Sequence, residues 1–480
     1  MNVRNLTMLT DLYQLTMMYG YDIAGKSDEV VVFDLFFRRN SGDSAYAVAA
    51  GLEQAIEYIE NLHFSEDDIE YLRDLGLFNE DFLKRLENIR FTGDIDAIPE
   101  GTVVFPNEPL IRVKAPIFEA QLIETALLNI VNHQTLIATK ASRVVQAAQG
   151  DSVLEFGLRR AQGPDAGIYG ARAAIIGGCD ATSNVLAGKK FGIPVQGTHA
   201  HSWIMSFPTE LDAFRAYADA FPNSCLLLVD TYDTLRSGVP NAITVFKEMR
   251  EKGLEPVGIR LDSGDLAYLS KEARKMLNEA GFPNAKIVAS SDLDEDVIWD
   301  LKAQGAAIDV WGVGTAMITS KNCPALGGVY KLVAEEVNGE LVPKIKISEN
   351  AFKITNPGYK KVFRLYDKET HKAIADLITL DHETIDETKP LTIFDPVDTW
   401  KRMTLTNFKA RQLLVPIYRK GKRVYELPSL MDIQKYAKKE MSTLWAEYKR
   451  LTKPHVYKVD LSVELYNLKN RLLEEYSFEK

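Results

Sequence analysis

Val195 to Ser202 reads Val-Gln-Gly-Thr-His-Ala-His-Ser and sets two imidazoles two residues apart. Histidine is the side chain whose charge changes near neutral pH. Residues two apart on an extended chain point the same way. A short strand through this stretch would therefore bring His199 and His201 to one site at its C-terminal end. Pro194 limits how far such a strand extends backward. The alternative is two surface histidines in a turn. Other chemistry-bearing residues also follow short apolar runs. Arg159 and Arg160 come after Val153–Phe156, and guanidinium suits bidentate contact with phosphate or carboxylate. Arg260 stands two residues before Asp262. One could hold an anionic ring substituent and the other a sugar hydroxyl or metal-bound water; a salt bridge between strands is the alternative. Asp230, after Leu226–Val229, could orient a histidine by accepting from a ring nitrogen. Gly312-Val313-Gly314-Thr315 offers backbone N–H groups and a hydroxyl to a phosphate, or is simply a tight turn. Tyr13, Phe37 and Phe156 are core aromatics, or two of them stack on a flat heteroaromatic ligand. This inventory suits transfer chemistry on a phosphorylated sugar better than hydrolysis by a serine triad.

Positioning such groups requires many strand ends on one face. Apolar runs recur at 153–156, near 180, at 195, 226–229, 257–259, 287–289, 308–311 and 329–332, mostly with helix-like segments between. Eight strands alternating with helices predict a closed, irregular parallel α/β barrel. Residues 1–115 read as an α+β domain, 116–335 as the barrel, and 336–480 as a β/α segment packing beside both. Ile117 to Ala148 reads as one long helical stretch. Its polar residues Asn132, His133, Thr139, Lys140, Ser142 and Arg143 are expected on a solvated face. Asn338-Gly339 signals a hairpin. The basic run Lys344, Lys346, Lys353, Lys360, Lys361 and Arg364 reads as a solvated strand face, able also to attract an anionic substrate.

With 480 residues there is room for two or three domains. The net charge of −10 gives no support for nucleic-acid binding. Three widely spaced cysteines fit a reducing cytoplasm and offer no zinc pattern. No secretory signal and no apolar run of the roughly 20 residues that span a bilayer are seen, so no membrane role is expected.

The motifs resemble those of the nicotinate phosphoribosyltransferase family. The matching segments are Thr10–Gln14, Phe36–Arg38, Glu155–Asp165, Gly197–Ser202, Arg260–Asp265, Gly312–Thr315 and Gly327–Leu332, in family order over most of the chain. The resemblance implies the type II phosphoribosyltransferase form of the barrel. It also implies condensation of nicotinate with 5-phosphoribosyl 1-diphosphate to give nicotinate mononucleotide and diphosphate, for NAD salvage. ATP hydrolysis would be coupled through a phosphohistidine with Mg2+ present, and the metal ligands stay unknown. The family's Gly-Thr-x-Ala-His pattern places the phosphohistidine at His201, with His199 a neighbour and Asp230 its support. Tyr13 and Arg260 would contact nicotinate, with Thr198 close by and the ring between Phe156 and Tyr13. Thr315 would hold a phosphate of the phosphoribosyl group. A homodimer is implied, with Tyr13 reaching the site of a second subunit. A nicotinamide-specific enzyme and a catalytically silent ligand-binding barrel are the competing expectations.

Overall fold

The apolar runs between Ser152 and Val313 become one parallel sheet. Its strands are β1 (Ser152–Glu155), β2 (Ala181–Thr182), β3 (Leu226–Leu228), β4 (Gly258–Leu261), β5 (Lys286–Ser290) and β6 (Val310–Val313). Their order is β2-β1-β6-β5-β4-β3, every pair parallel. The strands are buried almost throughout, which is why they read as continuous apolar runs rather than alternating ones. Polar residues after the strands cap the helices that return the chain. Asp265 accepts from Tyr268 N ahead of Leu266–Glu279, and Asp294 from Val297 N ahead of Glu295–Ala303. Gly258 begins β4 at φ +155°, where a Cβ would stand 1.9 Å from Lys286 O. Only glycine lets these two strands meet there.

This structure, a computed structural model, describes residues 5–40 and 42–476. By contacts the chain forms two units: Met1–Leu136 with Ala325–Lys480, and Ile137–Pro324. The breaks fall at 136/137 and 324/325 rather than at 115/116 and 335/336. The parallel sheet belongs to the second unit.

Two of the eight expected barrel strands are not in that sheet. The 195 run contributes only an isolated bridge, Thr182 to Val195. Val329–Leu332 lies in the strand Gly328–Val337, which pairs antiparallel with Val30–Phe37 in the first unit, Val31 opposite Glu335. An apolar run makes a strand but does not choose its partner. The hydrogen-bonded sheet therefore has six strands, with β2 and β3 at its edges.

The first unit is α+β and is built from both ends of the chain. Its seven-stranded sheet includes Val30–Phe37, Ile111–Pro116, Asp94–Ala97 and Val415–Arg419, and a four-stranded sheet lies around Lys360–Asp367 and Ala373–Leu380. Asn338 and Gly339 turn the expected hairpin at φ +53° and +84°. Phe37 is a buried core residue.

The basic run is not uniformly solvated. Lys360 is buried 2.8 Å from Asp34, and Arg364 is buried against Asp376 and Glu440. Lys360–Asp367 has strands on both sides, so alternate side chains turn inward and each buried cation needs a carboxylate.

The stretch from Ile117 divides at Ile123 into Ile117–Leu122 and Glu124–Ala147. Thr139, Lys140, Ser142 and Arg143 are buried, against expectation. Within the second unit Lys140 Nζ lies 2.6 Å and Arg143 Nε 3.0 Å from the carboxylate of Glu295. A carboxylate supplied from another helix makes the burial of these cations tolerable.

Candidate active site

A parallel sheet gathers all its carboxyl ends on one edge, and ligands bind in the crevice outside that edge. Here Phe156, Arg159 and Arg160 follow β1, Ser183 follows β2, and Asp230 lies two residues past β3. Arg260 lies in β4 with Asp262 just after it, Ser290 ends β5, and Gly314-Thr315 follow β6. With Thr198, His199 and Asp292, most of these line a cavity of about 430 Å³. That volume lies within the range of small-molecule sites.

Arg260 is the node. Its Nε donates to Ser290 Oγ at 2.7 Å, Nη1 to Thr198 Oγ1 at 3.2 Å and Nη2 to Asp262 Oδ1 at 2.9 Å. Three of its five N–H donors are thus committed and two are left for a ligand. The Phe156 ring centre lies 5.9 Å from the guanidinium carbon. That ring is pinned from below. Phe156 N donates to Val313 O at 2.8 Å, and a Cβ on Gly312 would come within 2.6 Å of the ring carbons. The first glycine of Gly-x-Gly therefore makes room for an aromatic ring. Gly314 and Thr315 open the short helix Thr315–Ile318, with Thr315 exposed to the cavity. Arg159 and Arg160 sit on a single turn, exposed, with no carboxylate partner among the described residues.

The expected histidine–aspartate pair forms. His201 Nε2 lies 3.2 Å from Asp230 Oδ1; the imidazole is 39% exposed and the carboxylate 1%. The other oxygen, Oδ2, accepts from Asp262 N at 2.9 Å and Ser263 Oγ at 2.6 Å. Burial alone would raise the Asp262 carboxyl, but the Ser290 hydroxyl and the Arg260 charge outweigh it and hold the carboxyl below its ordinary range. Asp262 thereby presents an anionic carboxylate to Arg260, while its backbone N–H donates to Asp230 of the Asp230–His201 pair.

The two histidines do not face one site in the same way. The strand expected through them is absent, so its alternation does not apply. His201 opens the helix His201–Met205. His199 turns inward, 4.5 Å from the Tyr217 ring centre, and its Nε2 accepts from Leu228 N at 3.3 Å. Burial, joined by the nearby Arg260 and His201, lowers its pKa to about 4 against an ordinary 6.5. His199 thus binds fewer protons folded than unfolded. Its contribution is full above about pH 6.5 and is lost as pH falls toward 4. We expect the melting temperature to fall over that window, with a slope from this group of up to about 1.4 kcal/mol per pH unit. His199→Gln should flatten the slope; an unchanged thermal-melt profile would refute this origin.

Tyr13 belongs to the first unit, on the helix Leu12–Ile23, and the residue is 49% exposed. Sequence reasoning passed over Ser290, Ser263, Ser183 and Asp292. Each stood at a strand tip, but a lone hydroxyl or carboxylate carries no periodic signal. Among the described residues no group of three or more His, Cys, Asp or Glu side chains forms a metal site.

Comparison with known proteins covers nearly the whole chain. Residues 8–132 match the nicotinate phosphoribosyltransferase (NAPRTase) N-terminal domain, 152–372 the nicotinate phosphoribosyltransferase (NAPRTase) family, and 359–469 the nicotinate phosphoribosyltransferase C-terminal domain. The chain is 53% identical to nicotinate phosphoribosyltransferase of Bacillus subtilis (strain 168), covering 98% of this chain and 96% of that one. It is 35% identical to the Homo sapiens protein of that name, covering 97% and 96%. The crystal structure of human nicotinic acid phosphoribosyltransferase superposes with a TM-score of 0.84 at 33% identity, covering 97% of this chain and all of that one. The crystal structure of nicotinate-nucleotide pyrophosphorylase from Pyrococcus furiosus shares the fold, with a TM-score of 0.70 at 23% identity and coverage of 92% and 98%.

Proposed function

The chain belongs to the nicotinate phosphoribosyltransferase family, and from that premise we propose that it joins nicotinate to 5-phosphoribosyl 1-diphosphate. The products are nicotinate mononucleotide and diphosphate, and the role is NAD salvage. The reaction is coupled to ATP hydrolysis through phosphorylation of His201. The observation that carries this reading is the hydrogen-bonded path Arg260–Asp262–Asp230–His201, which links an anion-holding guanidinium to an aspartate-backed imidazole on one sheet edge.

Nicotinate's carboxylate pairs with the two uncommitted N–H donors of Arg260, and its ring lies against Phe156. This aims the ring nitrogen at C1 of the ribose. The C1–N bond forms as the C1–O bond to diphosphate breaks. The electron pair leaves with diphosphate, the nitrogen becomes a pyridinium, and no proton moves. Arg159, Arg160 and the Gly314-Thr315 loop hold phosphates, and Thr198 steadies Arg260. Mg2+ typically uses one or two carboxylates plus substrate phosphates, and the cavity wall offers single carboxylates at Asp262 and Asp292. These residues fit an ion brought in by the diphosphate, which would neutralise its charge.

His201 Nε2–H donates to Asp230, so the lone pair is on Nδ1. Nδ1 bonds the γ-phosphorus of ATP as the bond to the ADP oxygen breaks, and water later releases phosphate. The added negative charge reorganises an arginine-lined site and favours productive binding. The chain acts as a homodimer, with Tyr13 supplied from the partner across the nicotinate ring. Exposed Leu9, Leu12 and Met17 near Tyr13 support this reading. The segment from Val195 to His201 completes an irregular barrel between β2 and β3, supported by the Val195 bridge and the Leu228–His199 bond. The enzyme is cytoplasmic, a reading that its few, widely spaced cysteines support; among the described residues no helix is long and apolar enough to cross a membrane.

The test is diphosphate release with nicotinate or nicotinamide, with and without ATP. Release should require nicotinate and rise with ATP; no nicotinate-dependent release would sink the assignment. Arg260→Ala should raise the nicotinate KM by about tenfold to a hundredfold, the loss of a charge-assisted pair. An unchanged KM would remove Arg260 from this role.

A further inference from the structure

The stretch carrying Thr198 and His201 has almost no backbone support. Among the described residues its strand pairing is the single Thr182–Val195 bridge. Thr198 must nevertheless reach Arg260, and His201 must reach Asp230. Between them His199 is the one residue turned inward. Its ring packs on Tyr217, and its Nε2 accepts the amide proton of Leu228, in the edge strand β3.

We propose that His199 is a positioning residue: its ring nitrogen replaces the backbone carbonyl that a paired strand would offer to Leu228, and so fixes Thr198 and His201 on either side of it. An acceptor at Nε2 requires the neutral ring with its proton on Nδ1. The burial of the ring favours that uncharged form. The inference deepens the reading of this site as a phosphohistidine transferase and rests on it. His199 itself touches no reacting atom; it acts through its two neighbours.

Three variants test the idea. Glutamine can place an amide oxygen where Nε2 lies, whereas the shorter asparagine reaches only the Nδ1 position, and leucine fills space without accepting. Each is assayed for labelling by γ-labelled ATP, for nicotinate KM and kcat, and for melting temperature. At neutral pH His199→Gln should stay near wild type. His199→Asn should lose labelling and kcat by about tenfold to a hundredfold, the scale of a misplaced catalytic group, with a smaller rise in KM as Thr198 loosens from Arg260. His199→Leu should match asparagine if it folds. Should leucine fail to fold, the glutamine–asparagine contrast decides alone. Equal behaviour of those two, or full labelling in either folded asparagine or leucine, overturns the positioning role. Wild-type protein assayed alongside separates the two claims: no wild-type release with nicotinate removes the function, whereas normal release with indifferent His199 variants removes only this inference.

Discussion

His201→Ala is expected to end phosphate transfer from ATP to the protein while nicotinate-dependent diphosphate release continues at a reduced rate that ATP no longer changes. On the proposed mechanism the substitution removes the phosphoryl acceptor and little else. Asp230 keeps the Asp262 amide and the Ser263 hydroxyl as donors to Oδ2, so its buried carboxylate is not stripped of partners. Arg260, Phe156 and the Gly314-Thr315 loop do not depend on the imidazole for their placement. Exposure to γ-labelled ATP and diphosphate release with and without ATP read the two effects separately. Label on the variant at the wild-type stoichiometry would show that another residue carries the phosphate.

Asp230→Asn should be nearly as damaging to the ATP-coupled rate, for a different reason. The amide has one acceptor, and two donors, Asp262 N and Ser263 Oγ, already claim the Oδ2 side. The side-chain oxygen must face them, which turns the NH2 toward His201 Nε2. A donor there draws the lone pair to Nε2 and leaves the proton on Nδ1, the atom proposed to attack phosphorus. Wrong-tautomer substitutions behind a catalytic imidazole cost about 10⁴ in rate in serine proteases, and about 10³ to 10⁴ is expected here for single-turnover phosphorylation. The nicotinate KM should change little, because Asp262 still meets Arg260. Phosphorylation of Asp230→Asn at the wild-type rate would rule out this tautomer argument.

How much of this could be read beforehand depended on the kind of signal. Six strand tips were legible because short apolar runs ending in Gly, Asp, Ser or Arg survive folding as they read. Asp230, Arg260, Asp262 and the Gly312–Thr315 loop came from that pattern, and the sheet does bring them to one edge. The His199/His201 geometry was not legible. It hinged on a strand that tertiary context reduces to one bridge, and without the strand the period of two has no force. Lys140 and Arg143 looked solvated because sequence cannot show that Glu295, far along the chain, will meet them. The service Gly312 gives to the Phe156 ring was likewise hidden, since the clash it avoids exists only once β1 and β6 lie side by side.

The pairing of Val31 with Glu335 sets a timetable for synthesis on the ribosome. Val30–Phe37 is rich in valine and phenylalanine, but one of its edges must wait for the strand Gly328–Val337, made much later. At about 5–20 residues per second that delay is roughly fifteen to sixty seconds. Throughout it the nascent chain presents a sticky, unpaired ribbon edge of the sort that recruits other chains. Ile137–Pro324, contiguous in sequence, is complete before its host is. The nascent protein is therefore expected to need chaperone shelter at its amino end, and translation that stalls before residue 335 should yield aggregates.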